Sequence, residues 1–143
     1  MFRLLLNSGE RLVGWAQHVI GCTFFPDAQA IGWGNDDEIR AACIYDRWTV
    51  RDVHIHVASD ETGHFGTRQF LAAAFHFPFV VADRHRITGL VPASNDRARR
   101  LNAHLGFKPE GVMRGAGDDG EDIIILGMLR SECRFIPREH RGA

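Results

Sequence analysis

The segment that most constrains the fold of this chain reads SNDRARRLNAHLGFKPEGVMR, residues 94–114. Its apolar positions recur at intervals of three and four, which predicts the buried face of a helix. They are Ala98, Leu101 and Leu105. Ser94 is suited to cap the start of this helix, and Gly106 is suited to the position just past its end. A short apolar strand precedes the helix and a second strand follows it, so the segment predicts a strand–helix–strand unit.

Hydrophobic periodicity orders the rest of the chain into further helices and strands. Residues 10–20 repeat apolar side chains at helical spacing, and Gly21 is a suitable end for that helix. Residues 27–48 predict two strands joined by a turn at the letters NDD. Residues 67–81 predict a buried helix that Pro78 bends or ends.

A second hairpin is expected near the end of the chain. Residues 106–114 and 122–130 are predicted strands, and the glycine-rich turn GAGDDGE joins them. The predicted order is therefore helix, three strands, helix, strand, helix and two strands. This order predicts a mixed α/β fold with both antiparallel and parallel strand pairs.

The strand Asp52–Ser59, with the letters DVHIHVAS, has two different faces. Its apolar face carries Val53, Ile55 and Val57. Its other face carries Asp52, His54, His56 and Ala58. We expect the first face to lie in the core and the second to line a groove.

Composition excludes several classes of protein. The chain has 143 residues, 45% of them hydrophobic, which predicts one domain over residues 1–136 with a polar tail over 137–143. The formal net charge of -1 gives no general attraction to nucleic acid or to a membrane surface. Three cysteines without a CxxC spacing argue against a disulfide framework. We therefore expect reduced thiols and a cytoplasmic protein, since the first apolar run is too short for a secretory signal.

The spacing around the predicted third helix matches a known pattern. An asparagine is followed three residues later by a small residue, then by Gly-Phe, Glu-Gly and an arginine. The matching residues are Asn95, Ala98, Gly106, Phe107, Glu110, Gly111 and Arg114. Together with the strand order, this pattern resembles the GNAT superfamily of acyl-CoA-dependent N-acyltransferases. The resemblance runs from about Ala30 to Arg134. Within the superfamily, the chain is similar to small GNAT-like proteins encoded by phages.

The resemblance implies a fold in which two central strands splay apart and bind acetyl-CoA as co-substrate. The strand Asp52–Ser59 would leave backbone amides unpaired, and the pantetheine arm would pair with them. The pyrophosphate would lie on amides at the start of the following helix, where the helix dipole favours anions. The implied cofactor-binding residues are Val57, Ala58, Phe65, Gly66, Thr67, Arg68, Asn95 and Asn102.

Three positions depart from the family pattern, two in the phosphate loop and one in the third helix. The phosphate loop, Gln/Arg-x-x-Gly-x-Gly/Ala in the family, keeps Gly66 but has Gly63 and Arg68 at its other two positions. Arg68 either contacts the phosphates as a cation or narrows the groove. Asn102 occupies the position of a tyrosine that protonates the leaving thiolate in many members, and an amide cannot act as a general acid.

The resemblance also implies where a proton acceptor would lie. Some family members carry a carboxylate base near the start of the splayed strand, and Asp52 or His54 is the nearest match. His54 and His56 share a strand face, but without a third ligand fixed nearby, such as His64, they do not predict a metal site.

The sequence therefore predicts an N-acyltransferase that moves an acetyl group from acetyl-CoA to a primary amine. The acceptor is a protein N-terminus, a lysine or a small amine, and the last strands are those through which the fold often forms homodimers. The alternative is a catalytically inactive GNAT-fold module that binds CoA or another protein. A nucleic-acid binder using the arginines of the third helix is the least favoured class; they are Arg97, Arg99 and Arg100. The simpler interpretations are that Asn95 bonds its own helix and that the arginines form a solvated face.

Overall fold

The computed structural model describes residues 1–60 and 67–142, which form one seven-stranded sheet with helices on both faces. The strands are β1 (Arg3–Leu5), β2 (Gln29–Gly34), β3 (Ile39–Asp46), β4 (Asp52–Ser59), β5 (Arg86–Pro92), β6 (Lys108–Met113) and β7 (Ile123–Leu129). The helices are α1 (Gly9–Ile20), α2 (Arg68–His76) and α3 (Asp96–Leu105). The sheet order is β1-β2-β3-β4-β5-β7-β6, and β4 with β5 is its parallel pair, so the predicted mixed α/β class is confirmed.

The predicted order of elements is confirmed, with one strand added. β1 precedes α1 and pairs antiparallel with Gly32–Gly34 at the edge of the sheet. Three residues are too few to show a period-2 pattern, so the sequence did not reveal this strand. Pro78 acts as expected, because α2 ends at His76 and a five-residue π-helical turn follows it.

Each face of the sheet has its own apolar core. α1 covers one face with Leu12 and Ala16, which are fully buried against β2, β3 and β4. The opposite face is covered by α2, the π turn and α3. Val53 and Ile55 of β4 belong to this second core, so the predicted division of the β4 side chains is confirmed.

The start of α3 corrects one sequence expectation. Asn95, and not Ser94, is the N-cap residue, and its Oδ1 accepts a hydrogen bond of 3.1 Å from the backbone N–H of Ala98. Ser94 instead binds Glu121 through its backbone N–H and its hydroxyl. Both residue types are good caps, and the hairpin carboxylate decides between them. Gly106 ends the helix with a positive φ of 108°, as expected.

The three cysteines are free thiols. Cys43 and Cys133 are buried in the core, and burial raises the pKa of Cys43 to about 12. Among the described residues, no helix is both long enough and apolar enough to cross a bilayer.

The contact between α1 and β2 makes a testable prediction. A Cβ atom added at Gly32 would lie 2.4 Å from Cδ2 of Leu12 and 3.1 Å from the carbonyl oxygen of Ala41. Gly32→Ala is therefore expected to lower the free energy of unfolding by about 1–3 kcal/mol through overpacking. Leu12→Ala removes the clashing group, so the cost of Gly32→Ala should be smaller in that background. Urea unfolding of the two single variants and the double variant measures this coupling.

Gly14→Ala is the matched control for this cycle. Gly14 lies on the exposed side of α1, and a Cβ atom there would meet nothing within 4 Å. It should stabilise the protein by about 0.5–1 kcal/mol, because alanine loses less backbone entropy in a helix than glycine does. If Gly32→Ala lowered the free energy of unfolding equally in the wild-type and Leu12→Ala proteins, the close packing of Leu12 on Gly32 would be contradicted.

Candidate functional site

The central feature of the site is the divergence of β4 from β5. Their parallel pairing covers three residues of each strand, Asp52–His54 of β4 and Arg86–Thr88 of β5. Beyond His54, β4 remains paired with β3 as far as Ser59, while β5 remains paired with β7 as far as Pro92. The two strands therefore separate inside an otherwise continuous sheet, which confirms the splay expected from the sequence.

A cleft of about 180 Å³ lies where the strands separate. Its walls include Ile55, His56 and Val57 from β4. The other wall is formed by Gly89–Pro92 of β5, and α3 closes the cleft with Ala98 and Leu101. The cleft is therefore an apolar slot in the sheet with a histidine on one wall.

Three of the residues predicted to bind the cofactor lie at this cleft. Val57, Asn95 and Asn102 line it. The side chain of Ala58 is 2% exposed and packs in the α1 core, so only the backbone of Ala58 is available to a ligand in the cleft. Phe65 and Gly66, with Gly63 and His64, lie outside the described residues.

Thr67 and Arg68 form the start of α2. Oγ1 of Thr67 caps the helix by accepting a hydrogen bond of 3.2 Å from the backbone N–H of Phe70. Arg68 is the first helical residue and is exposed, and the first turn contains no acidic residue. This helix start is consequently an electropositive end without a competing carboxylate.

Both asparagines of α3 are engaged with their own helix. Asn95 caps it, as described above, so the simpler interpretation of this residue is confirmed. Nδ2 of Asn102 donates a hydrogen bond of 2.8 Å to the carbonyl oxygen of Ala98, one turn earlier. One of the two N–H donors at the family's tyrosine position is therefore engaged within the helix.

Tyr45, the single tyrosine of the chain, does not replace the missing acid. It is fully buried on the α2 side of the sheet, where its hydroxyl donates a hydrogen bond of 2.5 Å to the carbonyl oxygen of Ala74. Burial raises the pKa of Tyr45 well above its usual range. A buried phenol that already bonds Ala74, and that is not among the residues lining the cleft, cannot deliver a proton there.

Asp52 is held at the closed end of the cleft, where β4 still pairs with β5. The hydroxyl of Thr88 donates to both carboxylate oxygens, at 2.9 and 3.0 Å, and Nε of Arg86 is 3.6 Å away. Arg86 also forms a two-pronged ion pair with Glu110 on β6, at 3.0 and 2.6 Å. This pair raises the pKa of Arg86 and lowers the pKa of Glu110. Asp52 is thus fixed in place by a network that crosses four strands.

His54 lies on the same face and is only partly solvated. Its Nε2 is 4.0 Å from Oδ2 of Asp52, and its Nδ1 is buried without a hydrogen-bond partner. Burial is the largest cause that lowers the pKa of His54, and the positive charge of Arg47 lowers it further. The neutral imidazole is the favoured form, and that form is able to accept a proton.

Arg47 owes its place to an unusual turn between β3 and β4. Its φ is 56°, in the left-handed region that a non-glycine residue rarely adopts. The carboxylate of Asp27 stabilises this turn by accepting the backbone N–H groups of Arg47 and Trp48, at 3.0 and 2.9 Å. The guanidinium also stacks over the ring of Phe25, with 4.4 Å to the centroid.

A buried carboxylate paired with His56 is the feature that sequence reasoning missed. Asp46 is 1% exposed, and its Oδ1 lies 2.8 Å from Nε2 of His56. Its Oδ2 accepts a hydrogen bond of 3.1 Å from the backbone N–H of Phe25. The sequence identified His56 only as part of a polar face. The sequence signal that could have revealed the pair is the short turn between β3 and β4, because an antiparallel hairpin brings the end of β3 beside β4.

Within residues 1–60 and 67–142, no three histidine, cysteine or acidic side chains lie close enough to hold a metal ion. His64, the third ligand considered from the sequence, lies outside these ranges.

Comparison with known proteins identifies the fold. No protein-family model matches this sequence, and no curated protein matches it either. Among solved structures, the chain is similar to spermidine/spermine N-acetyltransferase of Vibrio cholerae in complex with manganese ions, with a TM-score of 0.71, 12% identity and 92% of each chain covered. A mutant of the Vibrio cholerae spermidine N-acetyltransferase gives a TM-score of 0.67 and 16% identity, over 80% of this chain and 70% of that one.

A dodecameric form of the Vibrio cholerae enzyme matches with a TM-score of 0.65 and 15% identity, over 85% of this chain and 74% of that one. The chain spans 66% of the length of another mutant form. At these identities the likeness shows the fold, which is that of the GNAT acetyltransferases, as the sequence resemblance implies.

The surroundings of His54 predict how its ionisation responds to mutation. Arg47→Gln removes a positive charge that disfavours the imidazolium, so the pKa of His54 should rise towards its ordinary value. Arg51→Gln is the control, since Arg51 is exposed in the same turn and is not among the charges that shift His54. Titration of the histidine ring protons by NMR measures both variants. An unchanged pKa in Arg47→Gln would mean that this charge does not reach the ring.

Proposed function

We propose that this chain is an acetyl-CoA-dependent N-acetyltransferase that acetylates a primary amine, namely a protein N-terminus, a lysine or a small amine. The observation that carries the proposal is the cleft between β4 and β5, which opens where their pairing stops at His54 and Thr88. The likeness to spermidine N-acetyltransferases supports acetyl transfer as the reaction class.

Acetyl-CoA would occupy the cleft as an extended arm. The backbone of Val57 and Ala58 lies on β4 beyond the last pair with β5, and it would offer hydrogen bonds to the pantetheine amides. The thioester supplies an activated acetyl group. The apolar side chains along the cleft would exclude water from it.

The phosphates of CoA would lie at the start of α2. The electropositive helix end at Thr67 and Arg68 supports this site, as does the absence of acidic residues from the first turn. Phe65 and Gly66 belong to the proposed loop by the sequence resemblance. Arg68 would contribute a cation to the phosphates, and Asn95 and Asn102 would border the arm from α3.

The amine must lose a proton before it attacks the thioester carbonyl. Asp52 and His54 are the proposed proton acceptors by resemblance to the family. The neutral state favoured for His54 supports its candidacy. The hydrogen bond from Thr88 and the nearby Arg86 hold the carboxylate of Asp52 in place where β4 still pairs with β5.

A catalytically inactive module that binds CoA or a protein is the second candidate. The observation in its favour is the missing acid, since Asn102 is bonded to its own helix and Tyr45 is buried in the core and does not line the cleft. An alkyl thiol has a pKa of about 8.5, so a thiolate leaves without prior protonation more readily than an alkoxide does. For this reason the enzyme remains our first proposal.

Compartment and assembly are proposed on two further observations. The three free thiols support a reducing compartment such as the cytoplasm. Val112 of β6 and Leu129 of β7 are 53% and 45% exposed, which supports a homodimer formed through the last strands. Sedimentation equilibrium tests the dimer, and a monomer at all concentrations would argue against it.

Calorimetric titration with acetyl-CoA tests the proposed site directly. We expect saturable binding to the wild-type protein, and about tenfold weaker binding to Arg68→Gln because a charge-assisted hydrogen bond to phosphate is lost. Arg97→Gln, an exposed arginine of α3 that does not line the cleft, is the control and should retain wild-type affinity. No binding at millimolar acetyl-CoA would exclude the enzyme.

Thiol release then separates the enzyme from the inactive module. The protein is incubated with acetyl-CoA and a panel of polyamines, amino-terminal peptides and lysine peptides, and free CoA thiol is detected. Turnover with one class identifies the acceptor. Binding of acetyl-CoA without turnover on any amine would favour the inactive module.

Rates measured against pH test the two predicted proton acceptors. The variant of the residue that accepts the proton, Asp52→Asn or His54→Gln, should lower kcat by about 100-fold and lose the acidic limb of the profile. Asp36→Asn is the control for the carboxylate, because Asp36 is exposed and pairs with Arg3 in a distant hairpin. Unchanged profiles in both variants would remove both residues as candidates.

A further inference from the structure

Asp46 and Thr88 are the buried polar residues of the described chain, and both lie beside the cleft region. A buried carboxylate is costly unless its oxygens are hydrogen-bonded. Both oxygens of Asp46 have partners, one being the backbone N–H of Phe25 and the other the imidazole of His56. The chain thus carries a buried acid whose one side-chain partner is a histidine on the cleft wall.

The pairing decides which nitrogen of His56 carries the proton. A carboxylate only accepts hydrogen bonds, so the Nε2 that lies 2.8 Å from Asp46 must be the N–H donor in the neutral ring. The lone pair is then on Nδ1, which forms no hydrogen bond with the residues described by the structure. The ring of Phe24 packs against the imidazole at 4.9 Å and helps to fix its orientation.

The position of His56 differs from that of the two predicted acceptors. Asp52 and His54 lie in the part of β4 that still pairs with β5. His56 is the next residue on the same strand face, beyond the last pair, and it lines the cleft. Its side chain is 22% exposed, which leaves an edge open to a ligand. Of the three, His56 therefore lies nearest to the space proposed for the thioester.

We propose that His56 is a further catalytic residue, which accepts a proton from the acceptor amine at Nδ1, and that Asp46 is its positioning residue. This inference rests on the proposed acetyl transfer. The ammonium form of the amine gives one proton to His56, and the neutral nitrogen attacks the thioester carbon. A C–N bond forms, the C–S bond breaks, and a second nitrogen proton goes to the thiolate. His56 later returns its proton to solvent, so the products are an amide, CoA thiol and one proton.

The electrostatic surroundings of His56 come from three elements. Asp46 faces it from β3, His54 lies two residues before it on β4, and Cys22, after α1, interacts with Asp46. The side chains that line the cleft from α1, β5 and α3 do not titrate, and they include Ile20, Leu90 and Asn102. Asp46 is the charged group in contact with the ring, and it holds the imidazole through Nε2.

The first test needs no activity. In the ¹⁵N-labelled wild-type protein, long-range proton–nitrogen correlation spectra of the histidine rings identify the tautomer, and His56→Gln assigns the signal. We expect the neutral imidazole of His56 to be in the Nε2–H form. A dominant Nδ1–H form would overturn the proposal, because the proposed acceptor nitrogen would already carry a proton. This result stands even where acetyl-CoA fails to bind, so it separates this inference from the proposed function.

The second test compares binding with turnover. Glutamine at position 56 keeps an N–H donor for Asp46 and cannot accept a proton. His56→Gln should bind acetyl-CoA within about twofold of wild type, while its kcat falls about 100-fold and rises with pH as the amine loses its proton unaided. His18→Gln, an exposed histidine of α1, is the control and should keep the wild-type rate. A wild-type kcat and pH profile in His56→Gln would overturn the proposal.

Asp46→Asn tests the positioning residue. An asparagine whose oxygen keeps the hydrogen bond from Phe25 presents its NH2 group to Nε2 of His56, so the ring should change to the Nδ1–H form and kcat should fall by about 100-fold. Circular dichroism verifies the fold of this variant. If it does not fold, the tautomer of His56 and the turnover of His56→Gln decide the proposal. A folded Asp46→Asn that keeps the Nε2–H form of His56 and the wild-type kcat would overturn the role of Asp46.

Discussion

The separation of β4 from β5 is the constraint on which the rest of the site depends. A strand that loses one neighbour normally becomes an edge with unpaired backbone groups. Here each strand remains paired along its other side, β4 with β3 and β5 with β7, so the sheet stays continuous around the gap. Helix α3 packs over the gap with Ala98 and Leu101. The protein thereby holds an opening in its own core without losing the framework on either side.

Polar contacts stiffen both margins of this opening. On the β5 side, the network from Glu110 through Arg86 and Thr88 reaches Asp52 across β6, β7, β5 and β4. On the β4 side, Asp46 holds His56 from β3. A site whose groups are fixed by such contacts on paired strands keeps those groups in one geometry. The functional proposals rely on this fixed geometry of the side chains more than on any single charge.

The sequence predicted the elements well because the signals are local. The alternation of β4, the apolar spacing of α3 and the helix end at Gly106 are all visible within a few residues. The pair of Asp46 and His56 was not predictable in this way, because it depends on the register across a turn with a left-handed Arg47. The choice of Asn95 over Ser94 as cap likewise depends on Glu121, which is distant in sequence.

The burial of Tyr45 gives the protein an internal optical reporter. It is the single tyrosine of the chain, and its hydroxyl is held by the carbonyl oxygen of Ala74 in the core. Ionisation of this phenol in the folded protein is disfavoured, whereas in an unfolded chain it would ionise near pH 10. Tyrosinate absorbance in alkaline solution would therefore mark the opening of the core between β3 and α2. Loss of the fold at high pH is thus readable by absorbance without any added label.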